Sequence, residues 1–160
     1  MHVRNIHQRS LRASPREAAF LLDGLSSAED PLWPSESWPR MRLDRPLGPG
    51  AAGGHGPIRY TVAAYEPGRK ISFRFTAPRG FDGAHWFEVS QEGETGTLLR
   101  HTIEMNIAGP ALVTWPLVFR PLHDALVEDA LAKAQAALGE DPTRVPWSAW
   151  VRLLRRALRR

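Results

Sequence analysis

The sequence predicts an α+β fold in which a curved antiparallel sheet wraps around a long C-terminal helix. Three observations carry this. Strand-like runs at 57–66, 69–77, 84–91 and 95–107 follow one another across short turn signals, and short links between successive strands build an antiparallel meander. A further strand-like run and a capped helix precede them. The alanine-rich run 121–138 repeats apolar residues at helical spacing after them. A sheet with one apolar face and a helix with one apolar stripe must cover each other, and curling the sheet onto the helix does so.

The elements follow in order. "VRNIHQRSLRA" (3–13) is polar yet fits an extended strand. In "SPREAAFLLDGL", Ser14 is an N-cap, Pro15 takes the first helical position and Glu17 completes a capping box. Ala18, Leu21, Leu22 and Leu25 form that helix's apolar face. The prolines of "EDPLWPSESWP" leave a partial second helix or a loop, and "MRLDRP" (41–46) reads as a short strand. "GPGAAG" (48–53) matches G-x-G-x-x-G, but the strand-like "HGPIRYTV" follows it where a dinucleotide site needs a helix. We read it as a flexible turn or bulge feeding a strand.

In "YEPGRKISFRF" a Pro67-Gly68 turn leads into alternating residues. Ile71, Phe73 and Phe75 share one face, and Lys70, Ser72 and Arg74 share the other. His85, Phe87 and Val89 share a face, as do Leu99, His101, Ile103, Met105 and Ile107. A hairpin turning around Gly93 brings His85 near His101. Pro110, Pro116 and Pro121 make the start of the helical region irregular. From Pro121 on, Leu122, Leu126, Ala130, Ala134 and Leu138 recur near helical spacing, and Gly139 ends the helix.

Composition narrows the function classes. The chain has 160 residues, is 42% apolar and 24% charged, and has no cysteine. That excludes a disulfide scaffold, thiolate zinc sites and a cysteine nucleophile. The polar start "MHVRNIHQRS" is not a secretory signal, and the apolar run 108–119 is too short to span a bilayer. These observations suit a cytoplasmic protein, with a membrane-peripheral one as the variant. The net charge of +4 sits in the tail: residues 144–160 hold six arginines and no acid, while 1–139 hold 15 basic and 15 acidic residues. The body has no nucleic-acid signature.

The element order, "RYTVAAYEPGRKISFRF", "GAHWFEV" and "GTLLRHTIEM" with the long helix resemble the START-like SRPBCC superfamily. This is the helix-grip fold of polyketide cyclases, lipid-transfer domains and pollen-allergen-like proteins. The resemblance covers roughly 3–139, so residues 1–139 read as a START-like ligand-binding domain and 140–160 as a basic amphipathic tail. It implies a cavity between sheet and helix for an apolar ligand, without a shared set of catalytic residues. No cofactor is expected.

The candidate ligand-binding residues are Tyr60, Phe73, Phe75, His85, Phe87, His101, Ile103, Met105, Phe119 and His123. Ile71, Phe73 and Phe75 also serve as plain core, and Tyr60 is either a core tyrosine or an inward phenol. Three roles stay open for the histidines: satisfied polar residues, groups that orient a ligand's polar end, or a metal site or general base. Against metal, no inward carboxylate is evident. Asp124 with Glu128, and Asp129 with Lys133, read as pairs on a solvated helix face. His7 and His55 have no assigned place. In "RVPWSAWVRLLRRALRR" a helix puts Trp147, Trp150, Val151, Leu154 and Leu158 on one side. Trp147, Trp150, Arg152, Arg155, Arg156 and Arg159 then suit an anionic membrane surface or a partner. The expected function is binding of a small hydrophobic molecule such as a lipid, polyketide or aromatic metabolite. The alternatives are a cyclase/dehydratase-like enzyme with an inward histidine, and a peripheral protein that docks through its tail.

Overall fold

Alternation along the strands sets which side of the sheet is buried, and the turns set their order. The computed structural model describes residues 1–158. Strands β1 (His2–Leu11), β2 (Arg42–Leu43), β3 (Ala52–His55), β4 (Ile58–Glu66), β5 (Lys70–Ala77), β6 (Phe81–Glu92) and β7 (Gly96–Ile107) form one antiparallel sheet, ordered β1-β7-β6-β5-β4-β3-β2. Helix α1 (Pro15–Asp23) has the Ser14–Glu17 capping box that the sequence predicts. A short helix α2 (Ala111–Thr114) and a π-helical turn (Trp115–Phe119) run into α3 (Arg120–Ala137). The π turn falls among the prolines, where the regular hydrogen-bond ladder cannot close. Helix α4 (Ala149–Leu158) ends the described chain.

The structure resolves two segments that the sequence left open. In the glycine-rich segment, residues 48–51 form a turn closed by the Ala51 N–H on the Gly48 carbonyl, and it feeds β3, which takes in Ala52 and Gly53 and pairs to β2 and β4. A Cβ at Gly53 would strike the carbonyl of Arg42, so glycine is what lets those backbones approach. Of the two readings of the tryptophan segment 29–39, partial helix or loop, the loop holds. It is an irregular cover, pinned where Asp30 accepts hydrogen bonds from the backbone N–H groups of Ser26, Leu32 and Trp33.

The interior divides in two. One cluster joins α1 and the C-terminal half of α3 (Leu131, Ala134) to Val62, Ile71, Phe73, Val89 and Leu99. The other joins Val3, Phe75, Phe81, Ile103 and Met105 to Ala111 and Trp115. Ile71, Phe73 and Phe75 are all buried, as their parity predicts. The Pro67-Gly68 turn is tied to α1, because Asp23 Oδ1 accepts from Tyr65 Oη at 2.7 Å and from the Gly68 backbone N–H at 2.6 Å. Gly68 has φ +67 and a Cβ there would meet Ala19, so the turn requires glycine on both counts.

An Asp23→Ala substitution removes the shared acceptor of Tyr65 and Gly68. It is expected to lower stability by about 1–2 kcal/mol in urea unfolding; an unchanged midpoint would show that the turn holds without it.

Candidate functional site

The first strand decides what the inner face of this fold can be. Its inward residues Asn5, His7 and Arg9 are polar, and α3 meets them with polar groups of its own. Asn5 Nδ2 donates to Asp124 Oδ1 at 3.0 Å. His7 lies between two carboxylates, its Nδ1 2.7 Å from Glu128 Oε1 and its Nε2 3.0 Å from Asp124 Oδ1. Arg9 donates to Glu128 Oε2 at 2.7 Å, and to Gln135 Oε1 and the Thr143 carbonyl. Asp124 and Glu128 therefore do not occupy a solvated face, and inward carboxylates do exist. Nor do Asp129 and Lys133 pair along the helix. Asp129 Oδ2 accepts from the indoles of Trp38 and Trp147, and Lys133 reaches Glu36 and the Trp33 carbonyl. Both expectations failed because helical spacing shows which residues share a face, not what covers that face.

Between the two core clusters lies a cavity of about 480 Å³. The N-terminal half of α3 forms one wall with Leu122, His123, Leu126 and Val127, and Phe119 stands beside them. Of the residues expected to line it, Phe75, His85, Phe87, His101, Ile103, Phe119 and His123 do. Tyr60, Phe73 and Met105 do not line it; they are buried behind the wall. Tyr60 Oη lies 3.1 Å from His55 Nδ1, and Phe73 stacks on His85 with ring centroids 4.9 Å apart.

Other wall residues escaped the sequence reading. Trp33 and Trp38 come from the irregular cover, Phe81 and Trp115 from element ends, and His55 from β3. Phe81 shares the parity of His85 but falls in the "PRGFDG" turn signal, and the others lie outside the periodic runs that gave the sequence its signal. Arg155 and Leu158 of α4 line the cavity as well.

Apart from Ser35, Glu36 and Ser37 of the irregular cover and Arg155 of α4, the cavity wall is apolar except where histidines converge. His85 and His101 are diagonal neighbours, since His101 pairs with Phe87 and His85 with Ile103. His85 Nδ1 and His101 Nε2 are 3.3 Å apart. His85 Nε2 and His101 Nδ1 are buried without a hydrogen-bond partner. Between two neutral rings, one contact uses one N–H and one lone pair. Whichever ring donates, one donor and one acceptor remain unsatisfied. The His123 ring lies 5.0 Å from that of His101, and both its nitrogens are buried without a partner. Its Nδ1 is 3.5 Å from Asp124 Oδ1, close but short of a hydrogen bond.

Burial sets the charge states. It holds His85 and His101 well below their ordinary value of 6.5, and the neighbouring histidines add to the effect. Burial also lowers His123, against the pull of Asp124. For His7, burial opposes the charge, but Asp124 and Glu128 outweigh it and raise the ring above its ordinary value. For Asp124, burial opposes ionisation, yet the imidazoles of His123 and His7 hold its carboxyl below the usual range.

The tail differs from its expected arrangement. Trp147, Trp150, Val151, Leu154 and Leu158 do not share one contact face. Val151 and Arg155 are buried against the body, and the Arg155 guanidinium lies between Trp38 and Trp147, 4.1 and 4.0 Å from the ring centroids. It also donates to the Ser37 carbonyl. Trp150 is exposed, with its indole donating to the Leu117 carbonyl, and Arg152 and Arg156 are exposed. Arg159 lies outside the described residues.

No family model matches the chain, and no curated protein matches it. Solved structures do. Norcoclaurine synthase from Thalictrum flavum, in complex with dopamine and hydroxybenzaldehyde, has a TM-score of 0.64 at 14% identity, with 89% of this chain and 90% of that one covered. A solution structure from Thermobifida fusca gives 0.63 at 12% identity, covering 89% and 99%. CalU16 from Micromonospora echinospora gives 0.52 at 15%, covering 85% and 86%. The chain thus shares the helix-grip fold of these structures, a curved antiparallel sheet around a long C-terminal helix, and at these identities the likeness concerns the fold alone.

The depressed histidines make stability depend on pH. In the unfolded chain His85 and His101 take up protons near pH 6.5, and in the folded protein they do not. The unfolded state then binds more protons, so stability falls as pH drops below that value, by at most about 1.4 kcal/mol per pH unit for each ring. His7 acts oppositely: its contribution is complete below 6.5 and is lost as pH rises through its folded value. Urea unfolding across this window should give a shallower acid slope for His101→Gln than for the wild type. Equal slopes would mean that His101 protonates freely in the fold.

Proposed function

From a helix-grip fold with histidines gathered on one cavity wall, we propose that the protein binds a small hydrophobic molecule carrying one polar end. One observation supports this above the rest: an apolar cavity of about 480 Å³ whose His85–His101 pair retains one unsatisfied donor and one acceptor. Ligand sites commonly have such a size and such a lining. A guest burying ~250 Å² of apolar surface gains about 6 kcal/mol before the costs of association. Each histidine nitrogen left unpaired costs about 1–3 kcal/mol, which a ligand hydroxyl or carbonyl would recover. Norcoclaurine synthase, of the same fold, was solved with dopamine and hydroxybenzaldehyde. A lipid, a polyketide or an aromatic metabolite bearing an oxygen function suits the present cavity.

The cyclase/dehydratase-like alternative would use the same histidines as acid and base. Their depressed proton affinity counts against His85 and His101 as general bases at neutral pH, because a good base titrates near its working pH. As neutral rings they suit hydrogen bonding. Leu122→Trp places a larger side chain on the half-buried cavity wall. It should abolish binding of apolar dyes and expel any co-purifying ligand seen by native mass spectrometry, with circular dichroism unchanged. Undiminished dye binding in this variant, or a wild type that binds none, counts against the cavity as the site.

A second reading concerns the tail. With α4 docked, Trp150 and Leu117, in contact through the Trp150 indole, are exposed, as are Leu153 of α4 and Leu112 and Val113 of α2. Arg152 and Arg156 project from α4 too. Exposed apolar side chains together with arginines on the same helix suit an anionic membrane. Among the described residues no helix is long and apolar enough to cross a membrane. Full-length protein should co-sediment with phosphatidylserine-containing vesicles and not with neutral ones, and Arg152→Glu with Arg156→Glu should release it. If the wild type stays in the supernatant with both, the reading fails.

A further inference from the structure

The cluster on the outer side of the histidines has a pattern that ligand binding in the cavity does not explain. One nitrogen each of His7 and His123 and one oxygen of Asp124 lie within 4.8 Å of one another. His7 Nε2 is 3.0 Å and His123 Nδ1 3.5 Å from Asp124 Oδ1. A tetrahedral ion with bonds of about 2.1 Å separates its ligands by about 3.4 Å, so the His123 edge has the right length and the His7 edge, now a hydrogen bond, opens by about 0.4 Å to take the ion.

Three further features favour a cation. His7 Nδ1 is bound to Glu128 Oε1 at 2.7 Å. A carboxylate behind a histidine fixes the ring and directs its other nitrogen at a metal. The nitrogens of His123 are buried and have no partner, and the amide oxygen of Asn5, whose nitrogen contacts Asp124, is buried and unpartnered as well. Unsatisfied acceptors around a carboxylate are what a cation would satisfy. Finally, Arg120 approaches the other oxygen of Asp124, at 3.7 Å, and leaves Oδ1 to the cluster.

We propose that His7, His123 and Asp124 bind a divalent transition-metal ion, with Glu128 orienting His7. Two imidazoles and one carboxylate favour a borderline ion such as zinc over calcium or magnesium, which take oxygen ligands. Three protein ligands leave a coordination position open. His123 also lines the cavity, so the ion stands at the cavity wall. The inference does not depend on what, if anything, the cavity holds.

The test uses untagged full-length protein, stripped with EDTA and dialysed. Titration with cobalt(II), read by its visible spectrum, and with zinc, read by calorimetry and elemental analysis, should show one equivalent bound. His123→Ala and Asp124→Asn should each weaken zinc binding at least 100-fold, while His2→Ala, which removes an exposed histidine, should leave it unchanged. His123 makes no hydrogen bond that folding depends on, so its variant should keep the wild-type circular dichroism if Asp124→Asn does not. Zinc should raise the wild-type Tm and leave that of His123→Ala where it was. Binding below one equivalent, or an affinity that survives His123→Ala, would overturn the site and leave an ion pair between His7 and its carboxylates.

Discussion

The polar seam between β1 and α3 is the constraint on which the interior depends. Asn5, His7 and Arg9 meet Asp124, Glu128 and Gln135 in partly buried contacts of 2.7–3.0 Å. These groups satisfy one another only when the helix axis lies along the strand at one register. Burying any of them alone would cost several kcal/mol. With that edge fixed, the rest of α3 follows. Its C-terminal half presents Ala130 and Ala134, small enough for close packing over the sheet, and that part of the interior is filled. Its N-terminal half, with Leu122 and His123, is held over a part of the sheet that side chains do not fill, and there the cavity opens.

The histidines gain their properties from this arrangement. An imidazole in water titrates near neutrality. His85 and His101, enclosed by Phe73, Phe75 and Phe87, lose that freedom and remain neutral hydrogen-bonding groups. His7 sits beyond them against two carboxylates and is driven the other way. Charge is thus kept at the seam and neutrality at the cavity wall, with His123 in contact with both. For the ligand proposed above, a neutral wall backed by a charged cluster suits one polar end better than an evenly apolar pocket would.

Much of this was legible in the sequence, and what was not has a physical cause. Parity on the hairpins placed Phe75, His85, Phe87, His101 and Ile103 on the inner face, because strand periodicity and short turns leave few alternatives. The Pro67-Gly68 turn and the Ser14 cap were equally plain, being local. Asp124 and Glu128 misled because a carboxylate pair at helical spacing usually faces water, and the polar strand that covers them is more than a hundred residues away in sequence. The tryptophan cover and β3 were less legible for another reason. Their structure comes from single contacts, such as Asp30 with its three backbone donors and Gly53 against β2, and contacts of that kind leave no period.

The tail shows how far composition alone can carry. Two tryptophans and several arginines specify an amphipathic helix, but not which arginine faces inward. Arg155 is buried between Trp38 and Trp147. A guanidinium can be buried there because its charge lies over two π faces and one of its N–H groups reaches the Ser37 carbonyl. That contact clasps α4 to the irregular cover 33–39, both of which line the cavity. Residues after 139 are therefore part of the cavity wall, and the membrane reading has to rest on the outward residues Trp150, Leu153, Arg152 and Arg156. An arginine that sequence would give to a lipid headgroup is already bound to two indoles.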